Sequence, residues 1–371
     1  MAQNIGYKGR GHKDDDVDER DRKIDMSALH LEKNNDNASA KAFNLFENQF
    51  YNKTLDKFMP LSKHLYDQGD IGTCTCNAVA SAYRYALKRQ AKADFKPSRL
   101  FLYYVVRIDD STITAAGFGQ NQQGKYYHSL ANNPPPDDKF IYDGGSTIRD
   151  NIRILANLGA PAESEKYINW DRDTWPYVHV TDTTNEWEAL PEPEKSYAEP
   201  SYQQTGSTTE IFPTTALPAM RPAVEAFKAA ERHAAVYYGR PAEKDIGCWR
   251  TCIANGYPII FGMQEYKDFK ISSTNQPYCA TTPDSSTEFD TAHTVLAVGW
   301  DNDKYDMNGD KGCLLVQNSW GSKTTYSDPT WDGFFWLPYS WLTMPSPKDP
   351  TKMMVSCPWV LVDTEDYLVA P

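Results

Sequence analysis

Nowhere in its 371 residues does this chain carry the run of about 18 apolar residues that a membrane span requires, so no transmembrane helix is expected. Its first residues, Met1 to His12, are polar and hold no apolar stretch of the kind a secretory leader needs. Basic stripes and basic tails are missing too. The formal net charge is −12 and the isoelectric point lies near 5.1, which argues against nucleic acid or an anionic membrane as a partner. Cysteine is scarce: seven residues, an odd count, scattered at 74, 76, 248, 252, 279, 313 and 357. That is no disulfide framework, and an intracellular home is the expectation. Two glycosylation-type triplets, Asn37-Ala38-Ser39 and Asn52-Lys53-Thr54, are read as chance for the same reason. No internal repeat at solenoid or propeller period is found.

What the chain does contain is ordinary globular material. Hydrophobic residues make up 40% and charged ones 24%, enough to bury a core across two domains or one domain with insertions. Aromatics at 13% are assigned chiefly to core and interdomain packing. Residues 1–45 form a charge-dense arm containing Asp14-Asp15-Asp16, flexible or clinging to the surface. Residues 46–165 read as a helical half. A helix is expected over Cys74–Arg89, another after Pro97-Ser98, and a third after Gly144-Gly145-Ser146, capped by Ser146 and stopped by Gly159-Ala160-Pro161.

Residues 166–244 combine a long irregular insertion with a connecting helix over Ala223–Tyr238, and a loop of that length tends to be functional or mobile. Residues 245–371 open with a helix over Ile246–Ala254 and continue as strands: Pro258–Met263, Thr294–Trp300, Cys313–Gln317, Gly333–Leu337 and Val355–Val362. Helices first and strands later predict an α+β fold with separated halves.

Three segments carry chemistry. Asp67-Gln68-Gly69-Asp70-Ile71-Gly72-Thr73-Cys74-Thr75-Cys76-Asn77 brings a cysteine to the start of the first helix. Far downstream come Ala292-His293-Thr294-Val295-Leu296-Ala297-Val298-Gly299-Trp300 and Gln317-Asn318-Ser319-Trp320-Gly321. Cysteine, histidine and asparagine in this order are the layout of a thiol nucleophile, its base and its orienter. Backbone N–H groups at the helix start favour a thiolate on Cys74, and an imidazolium beside it favours it further. His293 would take and return the proton, while Asn318 would fix its tautomer without adding charge.

On these segments the chain resembles the papain-like cysteine peptidases, above all the branch common in bacteria whose nucleophile segment reads D-Q-G-x-x-G-S-C-T-A-N-A. The likeness covers about residues 60–165 and 245–345. It implies a two-domain fold, a helical half carrying the cysteine and a β-rich, barrel-like half carrying the histidine and asparagine. It also implies that Gln68 supplies the oxyanion donor with the Cys74 N–H, and that Trp320 shields the His–Asn hydrogen bond. Gly144 and Gly145 match the place where relatives bring backbone close to a bound peptide. Asp18-Glu19-Arg20-Asp21 resembles an N-terminal run that lies on the folded body.

Thr73, Thr75 and Cys76 depart mildly from the family pattern. Cys76 is expected to pack inward, since residue i+2 of a helix is turned about 200° away. The Ser322–Thr330 insertion puts the primed-side pocket in doubt.

The expectation is therefore a cysteine endopeptidase acting on a peptide or protein substrate, with no cofactor and no metal. The run from Asp301 to Asp310 hints at a calcium loop, but its spacing is that of a polar hairpin turn. The N-terminal arm is a candidate for self-inhibition, although the helical pro-region typical of cathepsins is not evident. Two alternatives use the same residues: an idle or latent papain-like binding protein, and an acyl-transfer or amide-processing enzyme.

Overall fold

The computed structural model describes residues 11–27, 51–52, 57–58, 65–69, 71–90, 92–93, 95–108, 110–119, 122–135, 142–164, 172–177, 203–204, 210–212, 216–233, 236–266, 271–272, 279–280, 282–284, 289–306, 308–321, 333–362 and 368–369. Most of the 166–220 insertion, and all of 322–330, lie outside these.

Seven helices are described: α1 (Cys74–Arg89), α2 (Arg99–Val106), α3 (Asp110–Ala115), α4 (Gln123–Ser129), α5 (Ile148–Asn157), α6 (Val224–Glu231) and α7 (Ile246–Ala254). Helix α1 keeps the expected bounds. Its small residues Ala78, Ala80 and Ala82 are buried and let neighbouring backbones approach. Cys76 does pack inward, where its thiol donates to Asn151 Oδ1 of α5 at 3.1 Å. The cap of α5 is Thr147 rather than Ser146: the Thr147 hydroxyl accepts from Asp150 N at 3.1 Å, while Ser146 is drawn into a strand. Asp245 caps α7 by accepting from the Gly247 and Cys248 N–H groups.

Strands β1 (His12–Lys13) and β2 (Ser146–Thr147) pair in parallel. The main sheet contains β3 (Tyr237–Gly239), β4 (Ile259–Tyr266), β5 (Ile271–Ser272), β6 (Cys279–Ala280) and β7 (Phe289–Tyr305). It is completed by β8 (Lys311–Gln317), β9 (Phe334–Pro338) and β10 (Val355–Val362). Its order is β5-β6-β9-β8-β7-β4-β10-β3, eight strands in all. The helix expected over Ala223–Tyr238 ends at Glu231, because the aromatic Tyr237-Tyr238 pairs with β10 at the sheet edge instead. Strand β7 overruns its expected bounds at both ends, pairing Phe289 with Tyr266 and closing a hairpin at Tyr305–Lys311. In that hairpin Asp306 Oδ1 accepts from Asn308 N and Asp310 N at 2.8 Å each, as a polar turn requires.

Helix α1 lies against the sheet, tied by Tyr85 Oη to Gln317 Oε1 and by Gln317 Nε2 to Ser81 Oγ, both 3.3 Å. Trp249, Trp336, Trp341 and Trp359 are fully buried. Each such ring removes roughly 150–250 Å² from water, an upper bound of about 4–6 kcal/mol in apolar transfer. Among the described residues no helix is long and apolar enough to cross a membrane.

Candidate active site

The loop before α1 is laced to the far half of the chain. Gln68 N donates to Ser319 O at 2.8 Å and Gly321 N to Tyr66 O at 3.0 Å, which bridges residues 66–68 to 319–321. Gly321, at φ 70, is required there: a Cβ would come within 2.7 Å of Asp67 Oδ2. The Gln68 side chain is fixed at both ends. Its Oε1 accepts from Ser319 Oγ at 2.6 Å and its Nε2 donates to Ile71 O at 3.0 Å. Gly72 N donates to both Asp143 oxygens, at 2.9 and 3.1 Å, which anchors the turn one residue before Thr73. Cys74 is the first residue of α1.

His293 stands on β7, opposite Met263 of β4. Its Nε2 donates to Asn318 Oδ1 at 2.8 Å, and the same oxygen accepts the Ser319 N–H at 2.8 Å. An amide oxygen accepts only, so Nε2 carries hydrogen and Nδ1 is left as the basic nitrogen of the neutral ring. Trp320 stacks on the imidazole, ring centres 5.0 Å apart and planes 25° from parallel. Asn318 is itself held by its N–H to Gly333 O at 2.8 Å. Thr75, the residue after Cys74, reaches the same strand: its Oγ1 lies 2.9 Å from Thr294 Oγ1, one residue past His293.

The chain's own arm lies across the same ground. Gly11 O accepts from Ser146 N at 2.7 Å and lies 3.4 Å from the Thr75 hydroxyl. Gly145 has φ 65, and a Cβ there would sit 2.4 Å from Gly11 O. A Cβ on Gly11 would meet Gly72 O at 2.0 Å. Next along, His12 Nδ1 is 2.9 Å from Thr294 Oγ1, which in turn is 2.9 Å from Thr75 Oγ1. Gly145 thus lies directly against the chain's own Gly11, while a Cβ at Gly144 would meet only the Lys13 side chain at 3.7 Å. The run from Asp18 to Asp21 lies on the body as expected, with Asp21 paired to Arg149 and Arg240 and Asp18 to Arg153.

Cys74 has no solvent exposure and His293 only 1%. The Cys74 thiol is pushed up to about 11 by burial, which outweighs the hydrogen bonds from Thr294 and Thr75 that favour the thiolate. The lowered thiol pKa anticipated from sequence is therefore not met in this structure. Desolvation acts against the charged form.

Sequence reasoning did not find Ser319, Asp143, Tyr177 or Arg99. Tyr177 Oη bonds both Gln68 O, at 2.9 Å, and the Thr73 hydroxyl. Arg99 pairs with Glu163, donates to Asp67 O and Asn77 Oδ1, and lies over the Tyr177 ring at 3.6 Å. Only Ser319, inside the Asn-Ser-Trp-Gly segment, had any local signal.

No family model matches the sequence. An uncharacterized peptidase C1-like protein of Acanthamoeba polyphaga mimivirus is 24% identical over 320 residues, covering 84% of this chain and 73% of its own length. Among solved structures, xylellain, a cysteine protease from Xylella fastidiosa, superposes with a TM-score of 0.59 at 22% identity. That match spans 98% of this chain and 99% of the other. At such identity the likeness speaks to the fold, which is the α+β arrangement expected from the sequence.

Proposed function

We propose that this chain, papain-like in fold, is a cysteine endopeptidase held in a latent state by its own N-terminal arm. The observation that carries the reading is the His293–Asn318 hydrogen bond under the Trp320 ring, beside the helix start that presents Cys74. A scaffold role alone would not demand an imidazole with one nitrogen pinned to an amide and one face covered by an indole.

In the uncovered enzyme the Cys74 thiol gives its proton to His293 Nδ1 and attacks the peptide carbonyl carbon. The carbonyl pair moves onto oxygen, and the resulting oxyanion is met by the Cys74 N–H and by the Gln68 Nε2 hydrogen that Ile71 does not take. Collapse of this intermediate expels the amine, which leaves with the proton from imidazolium. Water, deprotonated by His293, then releases the acid and restores the thiol. Asn318 and Trp320 hold the ring and keep water from its bond. A substrate backbone would take the Gly144–Ser146 edge that Gly11 now occupies.

The same reading keeps the chain's division into an arm (1–45), a helical half (46–165), an insertion with a connecting helix (166–244) and a β-rich half (245–371). Seven free thiols fit an intracellular home.

The test is intact-mass analysis with an epoxysuccinyl or iodoacetamide probe on wild type, Cys74→Ala and His293→Ala, before and after removal of the arm. One adduct on Cys74, faster after trimming and slow without His293, is the expected result. Equal labelling of Cys74 and the other cysteines in the trimmed protein would overturn it.

A further inference from the structure

Among the described residues Cys357 alone, glycine apart, has a positive φ, 51°. It stands in a break of the β4–β10 register: Ser356 pairs with Gly262 and Trp359 with Ile260, so Cys357 and Pro358 share the space opposite Phe261. A bulge of this kind re-aims a side chain, and here it turns the thiol to the arm. Asp15 N donates to Cys357 Sγ at 3.2 Å, and Asp14 Oδ1 lies 3.8 Å from that sulfur. Asp14 Oδ1 is also 3.3 Å from His12 Nε2. One ligand atom each from His12, Asp14 and Cys357 thus falls within 4.8 Å of the others.

The surroundings look built for the imidazole. Gly262 lies within β4, and a Cβ there would be 2.2 Å from His12 Nε2, so the ring seats on bare backbone. The other ring nitrogen faces Thr294 Oγ1 at 2.9 Å, the kind of outer bond that fixes a metal-binding histidine's tautomer. Ser356 Oγ donates to Asp14 Oδ1 at 2.8 Å and steadies the carboxylate.

We propose that His12 Nε2, the Asp14 carboxylate and the Cys357 thiolate form a zinc site that staples the arm to the sheet. Nitrogen, oxygen and sulfur together favour zinc over calcium or magnesium. Zinc–ligand bonds of about 2.0–2.3 Å place tetrahedral ligands roughly 3.3–3.8 Å apart, and Asp14 Oδ1 stands 3.3 Å from His12 Nε2 and 3.8 Å from Cys357 Sγ, with the third pair within 4.8 Å. Asp14, half exposed, opens the site to solvent, and a water completes the fourth position. Two ligands come from the arm and one from β10, so the bound ion cross-links residues 12–14 to the body. Its regulatory meaning rests on the latent-peptidase reading; the binding does not.

The experiment uses the full chain carrying Cys74→Ala, which removes the proposed nucleophile and any turnover with it. Zinc is titrated calorimetrically, and cobalt is added as a spectroscopic substitute. The expected result is one ion per chain, with a thiolate-to-cobalt charge-transfer band that disappears in Cys357→Ser and in His12→Gln. Thr294→Val, which removes the hydroxyl facing His12, should weaken zinc by about 10–100-fold. Circular dichroism certifies each variant as folded, and His12→Gln, on the arm, keeps the test alive should Cys357→Ser not fold. No binding at one equivalent, or a band that survives both substitutions, overturns the site. Protection of residues 11–15 in hydrogen exchange should rise with zinc; unchanged protection would overturn the staple. None of these readouts depends on peptide cleavage.

Discussion

The carbonyl of Gly11 accepts the backbone N–H of Ser146 at 2.7 Å, and this one bond places the chain's own arm on the edge beside Cys74. Glycine is needed on both sides. A Cβ at Gly11 would strike Gly72 O, and one at Gly145 would strike Gly11 O. With residues 12–13 paired to Ser146–Thr147, no other backbone can take this edge.

Removal of residues 1–14 should therefore activate the thiol. At a pKa of about 11, roughly one Cys74 in 10⁴ is thiolate at pH 7, against a few per cent for an unperturbed cysteine. Alkylation of Cys74 should accelerate by on the order of 10²-fold, measured by mass spectrometry. An unchanged rate would mean that the arm does not control access.

The covered state should weaken in alkali. Burial raises the folded pKa of Cys74 above the unfolded value, so its contribution is fully present below about pH 9 and is lost as pH rises toward 11. The difference amounts to about 3 kcal/mol at most. Denaturant titrations between pH 8 and 11 should show a decline that is shallower in Cys74→Ala.

Gly262→Ala should expel the His12 ring while leaving β4 intact, since alanine suits a strand better than glycine. Faster labelling of Cys74 in the untrimmed chain, with the stability of the body unchanged, is the expected outcome. Slower labelling would show that the seat of His12 is not what holds the arm.

Gln68→Ala should lower kcat of the trimmed enzyme by about 10²–10³-fold with little change in KM, as loss of an oxyanion donor does. A change confined to KM would assign Gln68 to ground-state binding instead.

Arg99 and Glu163 form a buried pair at 2.8 Å, with side chains 7% and 9% exposed. Arg99→Met strands the carboxylate and should cost about 3–5 kcal/mol in chemical denaturation. Because Arg99 also holds Asp67 O and Asn77 Oδ1, the trimmed variant should lose activity before it loses its fold.

Much of the site was legible because its signals are local. Cys74 opens a helix whose small and apolar residues recur at helical spacing, and its bounds agree with the sequence expectation to the residue. Strand β10 was equally plain. The misreadings came where pairing overrode local preference. Ser146 left its capping role to join His12 in a strand, and Tyr237-Tyr238 left a helical pattern to finish the sheet.

The sequence by itself singled out the candidates, one thiol, one imidazole and one amide, and indicated that helices would precede strands. These follow from residue type and periodicity, which each segment carries alone. The tertiary structure decided that Ser319 and Tyr177 brace Gln68, that Gly11 pairs with Ser146 beside the start of α1, and that His12, Asp14 and Cys357 meet. Those partners stand tens to hundreds of residues apart, and only the closing of the sheet against α1, with the arm laid over both, brings their atoms within bonding distance.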